Sequence, residues 1–151
     1  MSDPELLELY KQHRTGQDKY AYFLLAIVAS AIAFTVNKTT GIKVTFTDVP
    51  LGLSVVLWGL SFYFGCKYLE WCQTSMYSNF NLLQLKKGVH PDQPNHSQEV
   101  NAAIQGVTKA LESNSTRAGK YSNWQFKCAI YGALMFLTWH VVKVYVFTIA
   151  I

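Results

Sequence analysis

His140 and Lys143 come closest to chemistry in this chain. They lie three positions apart in an otherwise apolar run, so they share one face of a helix. An ionisable side chain within such a span is costly, turns toward protein or water, and marks a functional position by default. Three uses are open to the pair. Lys143 can snorkel its ammonium to a headgroup layer while His140 hydrogen-bonds a neighbouring helix. The two can instead line a wet cavity or pore, or His140 can take part in proton movement, although no carboxylate lies within a span beside it. Lys67 and Glu70 form a second pair at a spacing of three. They read as an interfacial ion pair worth about 0.2–0.5 kcal/mol, or as a charged ring at a pore mouth where several copies surround an axis.

Other chemistry is thin. His90, Asp92 and His96 fall in a stretch broken by Pro91 and Pro94, at a spacing that matches no metal-ligand pattern, and read as a solvated turn. Cys66, Cys72 and Cys128 include no CxxC pair and read as small apolar residues near helix ends with reduced thiols. The chain has no phosphate loop, nucleophile elbow, HExxH or carboxylate dyad. The expectation is a protein that is not an enzyme and uses no metal or cofactor. A formal charge of +4 without a dense basic run argues against nucleic acid as a partner.

The elements that carry these residues are set by the distribution of apolar sequence. Long apolar runs fall in three blocks, 20–36, 51–69 and 124–151. A membrane-crossing helix needs about 20 apolar residues, with about 17 as a lower limit. The chain therefore reads as one all-α integral membrane domain over 1–151 with three transmembrane helices and membrane lipid as its surroundings. The charged N-terminal segment lacks a small-x-small cleavage site, which predicts that the first span is retained. Nine Lys and Arg residues flank the spans on one side, in the N-terminal segment and in 67–120, against Lys38 and Lys43 on the other. The positive-inside rule then puts the N-terminus in the cytoplasm and the C-terminus outside. Tyr20, Tyr22, Tyr68, Trp71, Tyr121 and Trp124 fall at one interface, as an aromatic belt would.

Residues 2–16 read as a short cytoplasmic amphipathic helix, with Ser2 and Glu5 at capping-box spacing and Gly16 marking a bend. In the first span, Ala26, Ser30 and Ala33 form a row of small residues; Ser54, Ser61 and Gly65 form another in the second. Small rows mark close helix contacts in lipid, so the first two spans are expected to pack as a tight hairpin. In the outer loop, 37–50, Ile42, Val44 and Phe46 alternate with polar residues as a strand does; the other reading is a polar loop.

The second span runs on, with no break signal, into a cytoplasmic stem whose stripe is Leu69, Cys72, Met76, Phe80 and Leu83, ending near Gly88. After the proline turn, Ser97 caps a short return helix with Val100, Ala103, Ile104, Val107 and Leu111 on one face. A polar connector over 113–119 then leads to the third span. Stem and return helix together occupy 70–120.

Over about residues 5–87 this layout of N-terminal helix, two-span hairpin and long cytoplasmic helix resembles the SLATT-type membrane modules of bacterial defence and conflict systems. The third span lies outside that two-span pattern. The resemblance implies a gated pore-forming effector of the bacterial inner membrane, acting in antiviral defence. Independently of it, the stem stripe, the small-residue rows and the intramembrane Lys and His all call for partners, which self-association around an axis supplies together. The first expectation is a homo-oligomeric pore or channel. The alternative is a membrane anchor or scaffold that recruits a soluble cytoplasmic protein through 69–118. A proton-linked transporter lacks the internal repeats and carboxylates it would need.

Overall fold

The computed structural model describes residues 3–41 and 45–149. Three helices account for most of them: α1 (Asp3–Thr39), α2 (Val49–Lys87) and α3 (Ser97–Ile149), with a 3₁₀ turn at Phe46–Asp48. Each helix is long and apolar enough to cross a membrane. Among the described residues there is no strand. Ile42, Lys43 and Val44 of the expected alternation lie outside the described residues, and Phe46 belongs to the 3₁₀ turn.

The chain divides into two compact units, residues 1–65 with 124–151, and residues 66–123. In the first unit α1, α2 and α3 pack around Val28, Trp58 and Ala129, with Leu24, Ala31, Ile32 and Phe136 against them. The buried seam of α2 is Leu51, Ser54, Trp58, Ser61 and Gly65, at alternating steps of three and four. That step pattern keeps one face on a neighbouring helix. The seam meets α3 through small residues and hydrogen bonds. Ser61 Oγ donates to the Gln125 carbonyl at 2.7 Å, and Trp58 Nε1 donates to the Ala129 carbonyl at 3.3 Å. Ser54, Ser61 and Gln125 are 0%, 0% and 1% exposed, so this interface is closed. Gly65 admits the Gln125 amide and Leu25 where a Cβ would stand 2.5 Å and 2.7 Å from them.

The first two spans pack together, Val28 of α1 against Trp58 of α2, but not through the expected small-residue row of α1. On α2, Ser61 bonds α3 and the Ser54 backbone faces Gly132 of α3, while Gly65 lies beside both Gln125 and Leu25. Ala26, Ser30 and Ala33 are exposed, and α1 packs instead through Ala21, Val28 and Thr35, seven residues apart. Smallness permits a close approach but does not compel one. The larger Val28 and Ile32 fill the space beside Trp58 better than alanines would.

In the second unit, α2 and α3 pair through Arg117, whose guanidinium lies 4.8 Å over the Trp71 ring, and through Asn114, which reaches Ser78 Oγ at 3.4 Å. Val100, Ala103, Ile104, Val107 and Leu111 are all half-buried, the face the spacing predicts. The stem stripe is divided between a packed and an open face. Leu82 and Leu85 are buried and Leu69 and Cys72 half-buried, while Met76, Phe80 and Leu83 are exposed. The apolar residues of this stretch cover more than one face, and periodicity alone does not say which one α3 takes.

Helix ends follow local chemistry. Gly88 has φ 71°, Gly88 N–H donates to the Leu85 carbonyl and Val89 N–H to the Gln84 carbonyl, a Schellman ending that needs a left-handed residue. Gln93 Nε2 also caps α2, at 3.5 Å from the Leu85 carbonyl. Two expected breaks are absent. From Asp3 on there is no separate N-terminal helix, because α1 continues through Gly16, and α3 continues through 113–119, so the return helix and third span are one helix. A single glycine costs a helix only about 1 kcal/mol relative to alanine, too little to break one supported elsewhere. The side chains of Leu6, Leu7, Leu9, Tyr10 and His13, and Ser2 itself, lie outside the described residues.

Candidate functional site

The densest polar constellation among the described residues forms at the loop end of the first unit, around Asp48. The sequence Thr45-x-x-Asp48 builds a capping box on the 3₁₀ turn. Asp48 Oδ2 accepts from the Thr45 N–H at 2.9 Å and the Thr45 hydroxyl at 2.6 Å. Its other oxygen, Oδ1, faces α3 and accepts from Lys143 Nζ at 2.8 Å and from Trp139 Nε1 at 3.0 Å. Trp139 and Lys143 are four apart on α3, one above the other on the same face. The turn thus fixes one carboxylate oxygen and aims the second at two donors.

These four donors all favour the ionised carboxylate. The Lys143 ammonium first, then the Thr45 hydroxyl and N–H and the Trp139 indole, hold the Asp48 carboxyl well below the usual carboxylate range. Lys143 is therefore half of an ion pair between the loop and α3. The partner of Lys143 comes from the loop, 95 positions earlier in sequence.

His140 stands beside this pair. It is exposed, with its ring centre 6.5 Å from that of Trp139. A cavity of about 800 Å³ opens here, with Phe34, Lys38, Leu51, Phe136, His140 and Lys143 among its walls. Thr35 and Thr39, also on its α1 side, spend their hydroxyls on α1 carbonyls at 2.8 and 2.9 Å. The surface left to the cavity is mainly apolar, with ionisable groups at Lys38, Asp48, His140 and Lys143.

The remaining expected sites are placed as follows. Lys67 and Glu70 meet at 2.6 Å as an exposed ion pair. His90 Nδ1 accepts from the Asp92 N–H at 3.1 Å, a local turn contact. Among the described residues no three His, Cys, Asp or Glu side chains come together to hold a metal. Cys66 is exposed, Cys72 half-buried and Cys128 buried.

Sequence reasoning overlooked Asp48, Trp139 and Gln125. Two signals were available: the capping spacing of Thr45 and Asp48, and the helical spacing of Trp139 and Lys143. Gln125 could have been found as the polar residue seven before Gly132 on the α3 seam. Its Nε2 meets no acceptor among the described residues, an uncommon state for a buried amide. No protein-family model, curated protein or solved structure matches this chain.

Proposed function

We propose that this chain is a homo-oligomerising membrane protein, with copies joined through the exposed stripe of α2 in the second unit and a conduction path between copies. The observation that carries the reading is that stripe: Met76, Tyr77, Phe80 and Leu83 are 53%, 68%, 55% and 49% exposed. They recur at positions one, two, five and eight of two helical turns, outside the apolar run that ends near Leu69. A contiguous apolar face on a water-exposed helix marks an interaction surface. Copies confined to one bilayer meet at high effective concentration, which favours self-association as its cover.

Trp58, Ser61 and Gln125 are buried between α2 and α3, so this seam is not the path. A path therefore runs between copies, and His140, exposed on α3, is the residue to line it. In this reading the N-terminus and the second unit lie in the cytoplasm of a bacterial inner membrane, and the resemblance to defence effectors supplies the biological setting.

The test has two arms. Chemical cross-linking in liposomes compares wild type with the Met76→Glu, Phe80→Glu double variant; loss of cross-linked species with unchanged helicity supports assembly through the stripe. Ion flux from the same liposomes compares wild type with His140→Leu, which leaves the Asp48–Lys143 pair intact. Flux altered by His140→Leu supports the channel. Stoichiometric capture of a soluble protein by the wild-type stripe, without self-association or flux, would replace this reading with an anchor that recruits through 69–118.

A further inference from the structure

The cavity beside Asp48 has a wall and a rim of different chemistry. Phe34, Leu51, Phe136 and Leu137 give it an apolar wall. At the rim, Lys143 is neutralised by Asp48 at 2.8 Å. Lys38 adds a second ammonium, held 6.0 Å from the centre of the Phe34 ring. His140 adds an imidazole. The ionisable side chains facing the cavity thus carry a net positive charge, and its volume of about 800 Å³ lies in the range of pockets that enclose small ligands.

Its depth in the fold matters as much as its charge. It lies just past the end of the apolar run 20–36 of α1 and at the start of the run 51–69 of α2. In a bilayer this is the level at which an acyl chain joins its headgroup, an inference that rests on the membrane reading above. A cationic rim over an apolar wall at that level complements one kind of molecule.

We propose that this cavity is a binding site for an anionic phospholipid, its phosphate on Lys38 beside His140 and one acyl chain against Phe34, Leu51 and Phe136. Lys143 stays with Asp48 and lends its pair to the rim, while Lys38 discriminates by charge. Trp139, whose indole is fixed by Asp48 at 3.0 Å, lines the same cavity and reports on the occupant.

The experiment measures tryptophan quenching of the full chain in phosphatidylcholine bilayers. Brominated acyl chains are carried either by phosphatidylglycerol or by phosphatidylcholine, at equal mole fraction. The Trp139→Phe variant identifies the part of the signal that belongs to Trp139. The expected result is that brominated phosphatidylglycerol quenches Trp139 with an apparent affinity about fivefold above that of brominated phosphatidylcholine, the size of effect one surface cation gives. Lys38→Gln removes the difference and Lys38→Arg restores it. Equal quenching by the two lipids in the wild type overturns the proposal, as does a preference that Lys38→Gln leaves unchanged. Stronger quenching by a brominated fatty acid than by phosphatidylglycerol would reassign the site to a free carboxylate amphiphile and overturn it as stated. Quenching by neither lipid at any tryptophan means that the chain is not in the bilayer, and then the membrane reading itself fails.

Discussion

Trp58 occupies the space that Gly132 leaves on the facing helix. A Cβ on Gly132 would stand 2.6 Å from the indole Cδ1 and Nε1 and 3.2 Å from the Ser54 carbonyl oxygen. The missing methyl group lets the largest side chain of the α2 seam lie against α3 and donate to the Ala129 carbonyl. Gly132→Ala is therefore expected to destabilise the first unit by about 1–3 kcal/mol, the usual cost of overpacking. Gly59→Ala, with nothing within 4 Å of the new methyl, is the matched control and is expected to be neutral or slightly stabilising. Unfolding in detergent micelles with denaturant measures both.

Ser61 tests the second contact of the same seam. Its hydroxyl bonds the Gln125 carbonyl at 2.7 Å in a fully buried setting. Ser61→Ala is expected to cost about 0.6–1.7 kcal/mol, the measured span for hydrogen bonds between helices in a membrane protein. Ser30→Ala, on the exposed face of α1, is expected to change stability by less than the error of the same unfolding experiment.

Adjacent leucines on α2 test the register of the second unit. Leu82 is buried and Leu83 is half exposed. Leu82→Ala is expected to destabilise by about 2–5 kcal/mol, as large-to-small changes in packed sites do. Leu83→Ala is expected to leave unfolding almost unchanged and to weaken cross-linking between copies. A reversed order of the two effects would put Leu83, with the rest of the stripe Leu69, Cys72, Met76 and Phe80, on the packed face instead of Leu82.

Asp48 makes stability depend on acid. Its carboxyl is held below the usual range in the folded chain, chiefly by Lys143. A group depressed in this way contributes fully above its unfolded value of about 4 and loses that contribution as the pH falls through its folded value. Wild type is thus expected to lose this support only below about pH 4. Lys143→Met removes the largest cause, so the folded Asp48 titrates closer to its unfolded value: the variant has less of this support at neutral pH and loses less of it in acid. Asp48→Asn lacks the component altogether: it is less stable than wild type at neutral pH and converges on it in acid. Thermal unfolding followed by circular dichroism from about pH 2 to about pH 7 reads all three curves.

The sequence by itself determined the three apolar blocks, the ending of α2 at Gly88 and the proline turn before α3, but not that α1 runs on through Gly16 and α3 through 113–119. Those first three are local matters: the run of apolar residues, a left-handed glycine, and prolines that cannot continue a helix. It also placed Ser54, Ser61 and Gly65 on one face, because a step of three or four is a property of one helix alone. Which helix that face meets was decided only by the tertiary structure. Small residues fit either neighbour, and the shape of Trp58 against Gly132 selects α3. The same limit hid the pairing of Asp48 with Lys143. Their 95-residue separation carries no periodic signal, and only the packing of the loop against α3 brings the charges to 2.8 Å. Spacing along a chain reports what one element can present, and only packing between elements decides what it is presented to.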